Sequence, residues 1–287
     1  MTVSMVIEIV EPAADELGEC PVWRADAQDL LRVDINGPAI VAAGRRRRLP
    51  APVGFALPAR DGGLVAGVGL DLVRLADLDA APERRARIGE AHVNRFNDAA
   101  CDAHGRLWAG TMSTTRVAGT AALYRVEADS PPAPAIAGAT ISNGLGWSLD
   151  ETRMYYIDSV TQRVDALDFD AERGRLGRRR AFAHVEPDDG LPDGLCVDAE
   201  GGVWVALFGG GAIRRYLPSG RLDAHVPLPV SCPTSLAFGG PGLDELYVTS
   251  SRHRLTAAQR AAEPAAGSLL RLRPGVTGRL THAFAGA

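Results

Sequence analysis

The sequence predicts an all-β protein, a six-bladed β-propeller whose blades are four-stranded antiparallel sheets. Three observations lead to this fold class. A strand-forming motif recurs along the chain, helical periodicity is nearly absent, and the segments between recurrences carry the Gly, Pro, Asp and Ser residues typical of β-turns. The chain has 287 residues, of which 46% are hydrophobic, which is enough for one such domain over residues 1–287.

The recurring motif is an aspartate followed by turn residues and a strand. The segment CDAHGRLWAGTM (101–112) matches VDAEGGVWVALF (197–208), and LDETRMYYIDS (149–159) fits the same frame. Taking the second apolar position of each such strand as a marker gives six strands 34 to 48 residues apart, a spacing that matches propeller blades. The marker residues are Leu31, Val65, Trp108, Tyr156, Trp204 and Tyr247.

Three further segments predict how the ring is completed. VSMVIEIV (3–10) precedes the first full blade, and we expect it to pair with strands near the C-terminus, which leaves no exposed sheet edge at the seam. RLTAAQRAAEPAAG (254–267) is short and contains a proline, so it predicts a loop with one helical turn. The run RRRR (45–48) is predicted to be a solvated hairpin tip.

Composition and charge exclude several classes of function. The net charge is −4 with acidic and basic residues interspersed, so we expect no nucleic-acid partner. All 31 basic residues are arginine, which excludes Schiff-base and P-loop chemistry that needs lysine. No GxSxG motif occurs, which argues against a Ser–His hydrolase.

Cysteine spacing and hydropathy indicate the compartment. The four cysteines, at positions 20, 101, 196 and 232, form no CxxC pair that would indicate a zinc or redox motif. No apolar run approaches the ~18 residues of a membrane span, and the N-terminus lacks the pattern of a signal peptide. We therefore expect a reduced, cytoplasmic protein with no membrane partner. The sequence leaves the oligomeric state open.

Polar residues in apolar settings recur about one blade apart, each just before a marker strand. Because all blades of a propeller converge on one axis, we expect these residues to meet at a central site. Two carboxylates and two amides form an all-oxygen donor set that suits Ca²⁺, Mg²⁺ or Mn²⁺ and admits Zn²⁺ or Fe²⁺. The four residues are Glu19, Asn97, Asn143 and Asp193.

The same residues have structural interpretations. Asn143-Gly144 and Asp193-Gly194 are preferred turn pairs, so each could mark a tight β-hairpin turn, and Glu19 could be an exposed surface residue. The regular spacing favours a shared site. It makes Asn143 a predicted metal ligand whose side chain is aimed by the local turn.

These segments also carry a resemblance to a known family. GECPVW, RFNDAACDAHGRLWAGTM, ISNGLGWSLDETRMYYIDS and LPDGLCVDAEGGVWVA occur in an order that resembles the gluconolactonase/regucalcin family, also called the senescence marker protein and luciferin-regenerating enzyme family. The resemblance runs from about residue 8 to the C-terminus. It implies a six-bladed propeller with one divalent metal ion on its axis, and hydrolysis of sugar lactones.

The resemblance implies roles for individual residues. Glu19, Asn143 and Asp193 match the family's metal ligands. From these roles we expect a mechanism in which the metal would polarise the lactone carbonyl and a carboxylate would take a proton from the attacking water. Asp193 is the first choice for this catalytic carboxylate and Glu19 the second.

The segment RFND supplies the implied substrate-binding residues. Arg95 and Asn97 match the family's substrate-contacting pair, and both would hydrogen-bond sugar hydroxyls. Asp98 follows them, and we place it in the same substrate-binding set as the residue that orients this loop.

The chain departs from the family pattern at two places. Cys20 replaces the glycine of the usual Glu-Gly-Pro motif, and from this we expect ordinary backbone dihedrals there, because a residue with a side chain resists a positive φ. In STTRVAG (113–119), Thr115 lies near the place where some members have an acidic residue that helps to bind the sugar. The preferred sugar therefore stays open.

The sequence thus predicts a metal-dependent lactonase that converts a sugar lactone, such as glucono-, xylono-, arabino- or galactonolactone, to the aldonic acid. Three alternatives remain. They are a calcium-binding regulatory propeller without turnover, a related hydrolase of non-sugar lactones or organophosphates, and an interaction propeller without a metal.

Overall fold

A computed structural model describes residues 5–12, 14–91, 93–128 and 130–286 of the chain. Within these residues, 24 strands form six four-stranded antiparallel sheets. The inner strands of the six sheets contact one another in chain order, and the sixth contacts the first again. The predicted six-bladed propeller is therefore confirmed.

Blades 1 to 5 each use four consecutive strands. Blade 1 contains β2 (Gly18–Arg24), β3 (Asp29–Asp34), β4 (Ala39–Ala42) and β5 (Arg45–Arg48). Blade 2 contains β6 (Val53–Pro58), β7 (Leu64–Val68), β8 (Asp71–Leu75) and β9 (Glu83–Arg87). Blade 3 contains β10 (Asn94–Cys101), β11 (Leu107–Ser113), β12 (Ala121–Val126) and β13 (Ala133–Ala139).

The sixth blade differs from the others because it also takes the first strand of the chain. Blade 4 contains β14 (Ser142–Trp147), β15 (Arg153–Asp158), β16 (Arg163–Asp170) and β17 (Arg175–His184). Blade 5 contains β18 (Leu191–Val197), β19 (Val203–Phe208), β20 (Ala212–Tyr216) and β21 (Leu222–Pro227). Blade 6 contains β22 (Pro233–Gly239), β23 (Glu245–Ser250), β24 (Leu269–Leu272) and β1 (Ile7–Glu11).

Helical structure is confined to short pieces in the described part of the chain. They are the α-helix α1 (Ala257–Ala262) and the 3-10 turns Ser159–Thr161 and Pro187–Asp189. α1 agrees with the single helical turn predicted for 254–267. Among the described residues, no helix has the length and apolar character needed to cross a bilayer.

Burial decreases from the axis outwards, and this gradient explains the sequence pattern of the blades. All six marker residues of the repeat lie on the second strand of a blade and are buried. They pack between neighbouring blades, where apolar area is removed from water on both faces of the sheet. The outer strands, in contrast, are mostly exposed.

The repeated aspartate ties a turn to the buried strand that follows it. In blade 5, the Asp198 carboxylate accepts hydrogen bonds from the backbone N–H of Gly202 (2.8 Å) and from Trp204 Nε1 (2.9 Å). In blade 3, Asp102 accepts the matching bond from Trp108 Nε1 (2.9 Å). Each aspartate therefore satisfies a buried indole N–H that would otherwise lack a partner.

The arginine run does not form a hairpin tip, so that prediction was wrong. Arg45–Arg48 is the outer strand β5, and the turn before it uses Ala43 and Gly44, which both have positive φ. Arg46 Nη1 lies 2.9 Å from Asp34 Oδ2. Charged side chains suit an outer strand because they discourage pairing with the edge of another sheet.

Strand β1 closes the ring as expected. It pairs antiparallel with β24, with Ile7 opposite Leu272. Residues 3 and 4 of the predicted strand lie outside the described residues.

The segment after β24, residues 273–286, runs across one end of the propeller; we call it the C-terminal segment. The backbone N–H of Ala199 in blade 5 donates to Thr277 O (2.9 Å), and the N–H of Phe284 donates to Pro58 O in blade 2 (2.9 Å). The Phe284 side chain is buried in the core that includes blades 2 and 3. The C-terminal segment thus connects blades that are not neighbours in the ring.

Candidate functional site

All six inner strands carry a β-bulge, and the candidate site is built on these bulges. Each inner strand has one extra residue relative to the next strand of its blade. Bulges of this kind turn side chains away from the regular alternation and are frequent at active sites. The register shifts fall within Glu19–Val22, Val53–Phe55, Phe96–Ala99, Ser142–Leu145, Pro192–Leu195 and Pro233–Leu236.

Asn143 lies at the bulge of β14 and not in a hairpin turn, so the turn interpretation of this Asn-Gly pair was wrong. Gly144 has no positive φ. A Cβ at Gly144 would lie 2.5 Å from Leu195 N and 2.6 Å from Asp193 O. The glycine is therefore required because blades 4 and 5 approach each other closely, and this contact brings Asn143 and Asp193 together.

The structure brings five of the six predicted site residues to one cavity of about 270 Å³ at one end of the axis. All five are buried although they are polar or charged. They come from blades 1, 3, 4 and 5, so only the closed ring assembles them. The five residues are Glu19, Arg95, Asn97, Asn143 and Asp193.

Asp98 is the predicted residue that the structure does not place on this wall. It lines a second cavity of about 140 Å³, which the C-terminal segment borders. Its carboxylate accepts a hydrogen bond from the N–H of Ala99 (2.8 Å), and burial raises its pKa to about 6. Asp98 therefore lies behind the site, where it adds negative charge near Glu19 and Asp193.

Two buried oxygens in the cavity wall test whether a cation fits. Glu19 Oε2 and Asn143 Oδ1 have no hydrogen-bond partner among the described residues. The Asn143 amide nitrogen donates to Ser159 Oγ (3.1 Å) and to Asp193 Oδ1, so its oxygen is left for another group. Buried polar atoms rarely lack partners, and oxygen donors of this kind are those that Ca²⁺ and Mg²⁺ prefer. Glu19, Asn143 and Asp193 therefore fit a divalent cation.

Electrostatics in the cavity agree with this fit. Burial, together with the neighbouring charges of Asp193 and Asp98, raises the pKa of Glu19 well above its ordinary value. Burial and Asp98 raise the pKa of Asp193 in the same way. A cation between the two carboxylates would offset this repulsion. The set holds only two carboxylates, and no cluster of three or more His, Cys, Asp or Glu side chains suited to a metal occurs in the described residues.

Arg95 and Asn97 form a fixed pair beside these carboxylates. Arg95 Nη1 donates to Asn97 Oδ1 and to Phe96 O, both at 2.8 Å. The Asn97 amide nitrogen donates to Ser142 O (3.0 Å), which anchors the pair to blade 4. Burial lowers the pKa of Arg95 to about 10, while Glu19 and Asp193 act in the opposite direction and favour its charged form.

Cys20 contradicts the expectation of ordinary backbone dihedrals. Its φ is +46°, in the left-handed region that favours glycine. The residue is buried, and its Sγ lies 4.0 Å from Ala99 O. The bulge that turns Glu19 towards the cavity thus forces a strained conformation on the next residue.

Sequence reasoning missed two arginines and a histidine on the same wall: Arg116, Arg254 and His253, whose pKa burial lowers below its ordinary value. Arg116 follows β11 and Arg254 follows β23, both in turns outside the repeated motif. Only one of them had a signal in the sequence, since Arg116 lies in the segment 113–119, where the chain departs from the family pattern.

Comparisons with known proteins agree with this fold. Residues 17–252 match the family described as "SMP-30/Gluconolactonase/LRE-like region". Regucalcin of Xenopus laevis is 36% identical over 299 residues, and the alignment covers 99% of each chain.

Two solved structures are also similar. A luciferin-regenerating enzyme has a TM-score of 0.90 and 30% identity, covering 98% of this chain and 100% of that one. A calcium-binding protein, regucalcin, of Agrobacterium tumefaciens has a TM-score of 0.92 and 26% identity, covering 98% and 97%.

Proposed function

The chain belongs to the SMP-30/gluconolactonase/LRE-like family, and from this premise we propose that it is a metal-dependent lactonase acting on a sugar lactone. The product is the aldonic acid. Water adds to the lactone carbonyl carbon and gives up a proton, the ring C–O bond breaks, and the released ring oxygen takes that proton to become a hydroxyl. Family membership supports a lactonase or regucalcin-type function, and the chemistry of the cavity favours the lactonase.

One observation carries the proposal. Two unpartnered buried oxygens, Glu19 Oε2 and Asn143 Oδ1, lie in the same cavity as the fixed pair Arg95 and Asn97. The first two residues supply cation ligands, and the second two supply hydrogen-bond donors and acceptors for a polyol. A site with both features is suited to an oxygen-rich substrate with a carbonyl to be polarised.

The residues divide into two groups by role. Glu19, Asn143 and Asp193 would hold the cation, which supplies Lewis-acid polarisation of the lactone carbonyl when bound. Arg95 would position the sugar, because two hydrogen bonds from Nη1 hold its guanidinium in place and the residue lines the cavity. Asn97 holds that guanidinium in place and accepts or donates at a ring hydroxyl.

Asp193 is the carboxylate that we assign to accept the proton of the attacking water. Its Oδ1 accepts a hydrogen bond from Asn143, so Oδ2 is the oxygen that takes the proton. Glu19 is the second choice for this role.

The test combines a panel of glucono-, xylono-, arabino- and galactonolactones with a panel of Ca²⁺, Mg²⁺, Mn²⁺, Zn²⁺ and Fe²⁺. We expect the wild-type protein to lose turnover in chelating buffer and to regain it with at least one cation. Asp193→Ala should lose cation binding, measured by calorimetry, together with turnover. The matched control is Asp150→Ala, which removes an exposed aspartate from a turn and should leave both unchanged.

Full lactonase turnover of Asp193→Ala in chelating buffer would contradict this mechanism. A protein that cleaves organophosphates or acyl-homoserine lactones faster than every sugar lactone would contradict the substrate class.

A second candidate is a calcium-binding propeller without turnover. The observation that favours it is the similarity to a structure described as a calcium-binding protein. In that case Ca²⁺ would raise the melting temperature of the wild-type protein and not that of Asp193→Ala, while no lactone would be cleaved above background.

We also propose that the protein acts in the cytoplasm on a small molecule and not on nucleic acid or a membrane. All four cysteines are free thiols, which supports a reducing compartment. Cell fractionation with an antibody against the protein tests this.

A further inference from the structure

Two arginines border the outer part of the cavity that holds the candidate cation ligands. Arg116 lies in the turn after β11, and Arg254 lies in the turn after β23. Both line the cavity wall and both are exposed to solvent. They come from blades 3 and 6, so the loops of two separate blades place positive charge at one opening.

Neither arginine has a charge partner within the part of the chain that the structure describes. No described carboxylate lies within 4 Å of Arg116 or Arg254, whereas the neighbouring Arg252 and Arg260 both pair with Glu16, at 3.5 and 3.1 Å. Partial burial and repulsion from Arg254 lower the pKa of Arg116. The two guanidinium groups therefore face the same space without compensation.

The backbone at both positions is in an unusual conformation. Arg116 has a φ of +57° and Arg254 a φ of +68°, in the left-handed region that residues with side chains seldom adopt. Such conformations persist where the surrounding structure enforces them, and they concentrate at ligand sites. Glycine or asparagine would relieve the strain but would remove the positive charge from the opening.

The charges of the cavity wall do not balance at this opening. The two carboxylates of the wall, Glu19 and Asp193, lie close enough to Arg95 to favour its charged form, and they are buried at the inner end. Arg116 and Arg254 thus remain as excess positive charge at the outer end. A substrate in this cavity therefore meets positive charge at its solvent-facing end.

We propose that Arg116 and Arg254 bind an anionic group, a carboxylate or a phosphate ester, that the sugar lactone carries at the end away from its carbonyl. The guanidinium fork matches the oxygens of both groups. This inference rests on the proposed lactonase function and specifies its substrate class as acidic sugar lactones.

The first experiment compares three lactones on the wild-type protein: gluconolactone, which is neutral, glucarolactone, which carries a carboxylate, and 6-phosphogluconolactone. We expect kcat/KM to be about 10- to 100-fold higher for at least one acidic lactone, the range typical of hydrogen bonds to a charged group. This preference should fall as ionic strength rises. The carboxylate and phosphate arms identify which anion is bound.

The second experiment uses Arg116→Gln, Arg254→Gln and the double variant. The double variant should lose about 10- to 100-fold in kcat/KM for the preferred acidic lactone, mainly through KM, and change less than about 3-fold for gluconolactone. Arg178→Gln is the matched control for each single variant, since it removes an exposed arginine of the outer strand β17 and changes the net charge by the same one unit.

Two outcomes would overturn the inference. One is a wild-type protein whose kcat/KM for gluconolactone equals that for both acidic lactones. The other is a double variant with an unchanged preference.

If no lactone is cleaved with any cation, the proposed function fails, and binding decides the inference separately. Calorimetry would then compare glucarate and 6-phosphogluconate with gluconate. Tighter binding of glucarate or 6-phosphogluconate than of gluconate, lost in the double variant, supports the anion site, and equal binding of all three refutes it.

Discussion

At the scale of single residues, Cys20 shows how the site constrains the backbone around it. Its positive φ accompanies the bulge that turns Glu19 into the cavity. A residue with a side chain costs roughly 1–2 kcal/mol in the left-handed region, and glycine does not.

This strain predicts that at Cys20 the glycine variant is more stable than the alanine variant, which is the reverse of the usual order. Cys20→Gly should be about 0.5–1 kcal/mol more stable than Cys20→Ala, because glycine relieves the strain that alanine retains. The measurement is the free energy of unfolding of the two variants in denaturant.

Cys101 provides the control, because it is equally buried and lies in β10 without a positive φ. There the ordinary order should hold, with the Gly variant less stable than the Ala variant by about 0.5–1 kcal/mol. The same order at both positions would show that Cys20 is not strained.

The candidate site could be predicted from the sequence only in part. Spacing alone indicated that Glu19, Asn143 and Asp193 lie at equivalent places of different blades, and the structure brings them together. The backbone at Cys20 and the displacement of Asp98 could not be predicted, because both follow from one extra residue in the register of an inner strand. Arg116 and Arg254 lie in turns, where no periodicity places a side chain.

At the scale of the element, the repeated aspartate stabilises a turn and the strand after it. Asp198 is fully buried and also accepts a hydrogen bond from Arg215 Nε (2.7 Å). The same frame in blade 4 contains Asp150, which is exposed and accepts from Ser148 Oγ (2.6 Å). The aspartate therefore occupies the same place in the motif but contributes differently to stability in different blades.

Asp198→Ala should lower the free energy of unfolding by about 3 kcal/mol, because it leaves the Trp204 indole N–H and the Arg215 guanidinium with an unpaired donor in the interior. Chemical denaturation measures the loss. Asp150→Ala is the control and should cost no more than about 1 kcal/mol. Equal losses for the two variants would mean that burial does not determine the contribution of this motif.

The strands themselves were the most predictable elements. Strand β19 is a continuous apolar run within a repeated frame, and its marker Trp204 lies where the frame places it. The outer strand β5 was mistaken for a turn, since four consecutive arginines carry no apolar alternation. Outer strands are held by backbone hydrogen bonds to one neighbour, so their side chains are free of the pattern that reveals inner strands.

At the scale of the whole molecule, the C-terminal segment ties separate blades together. Phe284→Ala should lower the free energy of unfolding by about 3–5 kcal/mol, although it lies close to the end of the chain, because it empties a site in the core. Leu280→Ala removes a side chain that is 51% exposed and should change stability by less than about 0.5 kcal/mol. Equal unfolding midpoints for the two variants would show that the segment does not contribute to the core.

The pairing of β1 with β24 also determines when the ring can close during biosynthesis. Ile7 and Leu272 face each other across it but stand 265 positions apart in the chain, so a ribosome adding about 5–20 residues per second makes the second partner roughly 13–50 s after the first. During that interval β1 is an unpaired strand in which three of the five residues are apolar. Its sequence IEIVE places Glu8 and Glu11 among them, and such charges hinder aggregation of a waiting strand. Strand β1 can thus pair with β24 only after strands β2 to β23 have been synthesised.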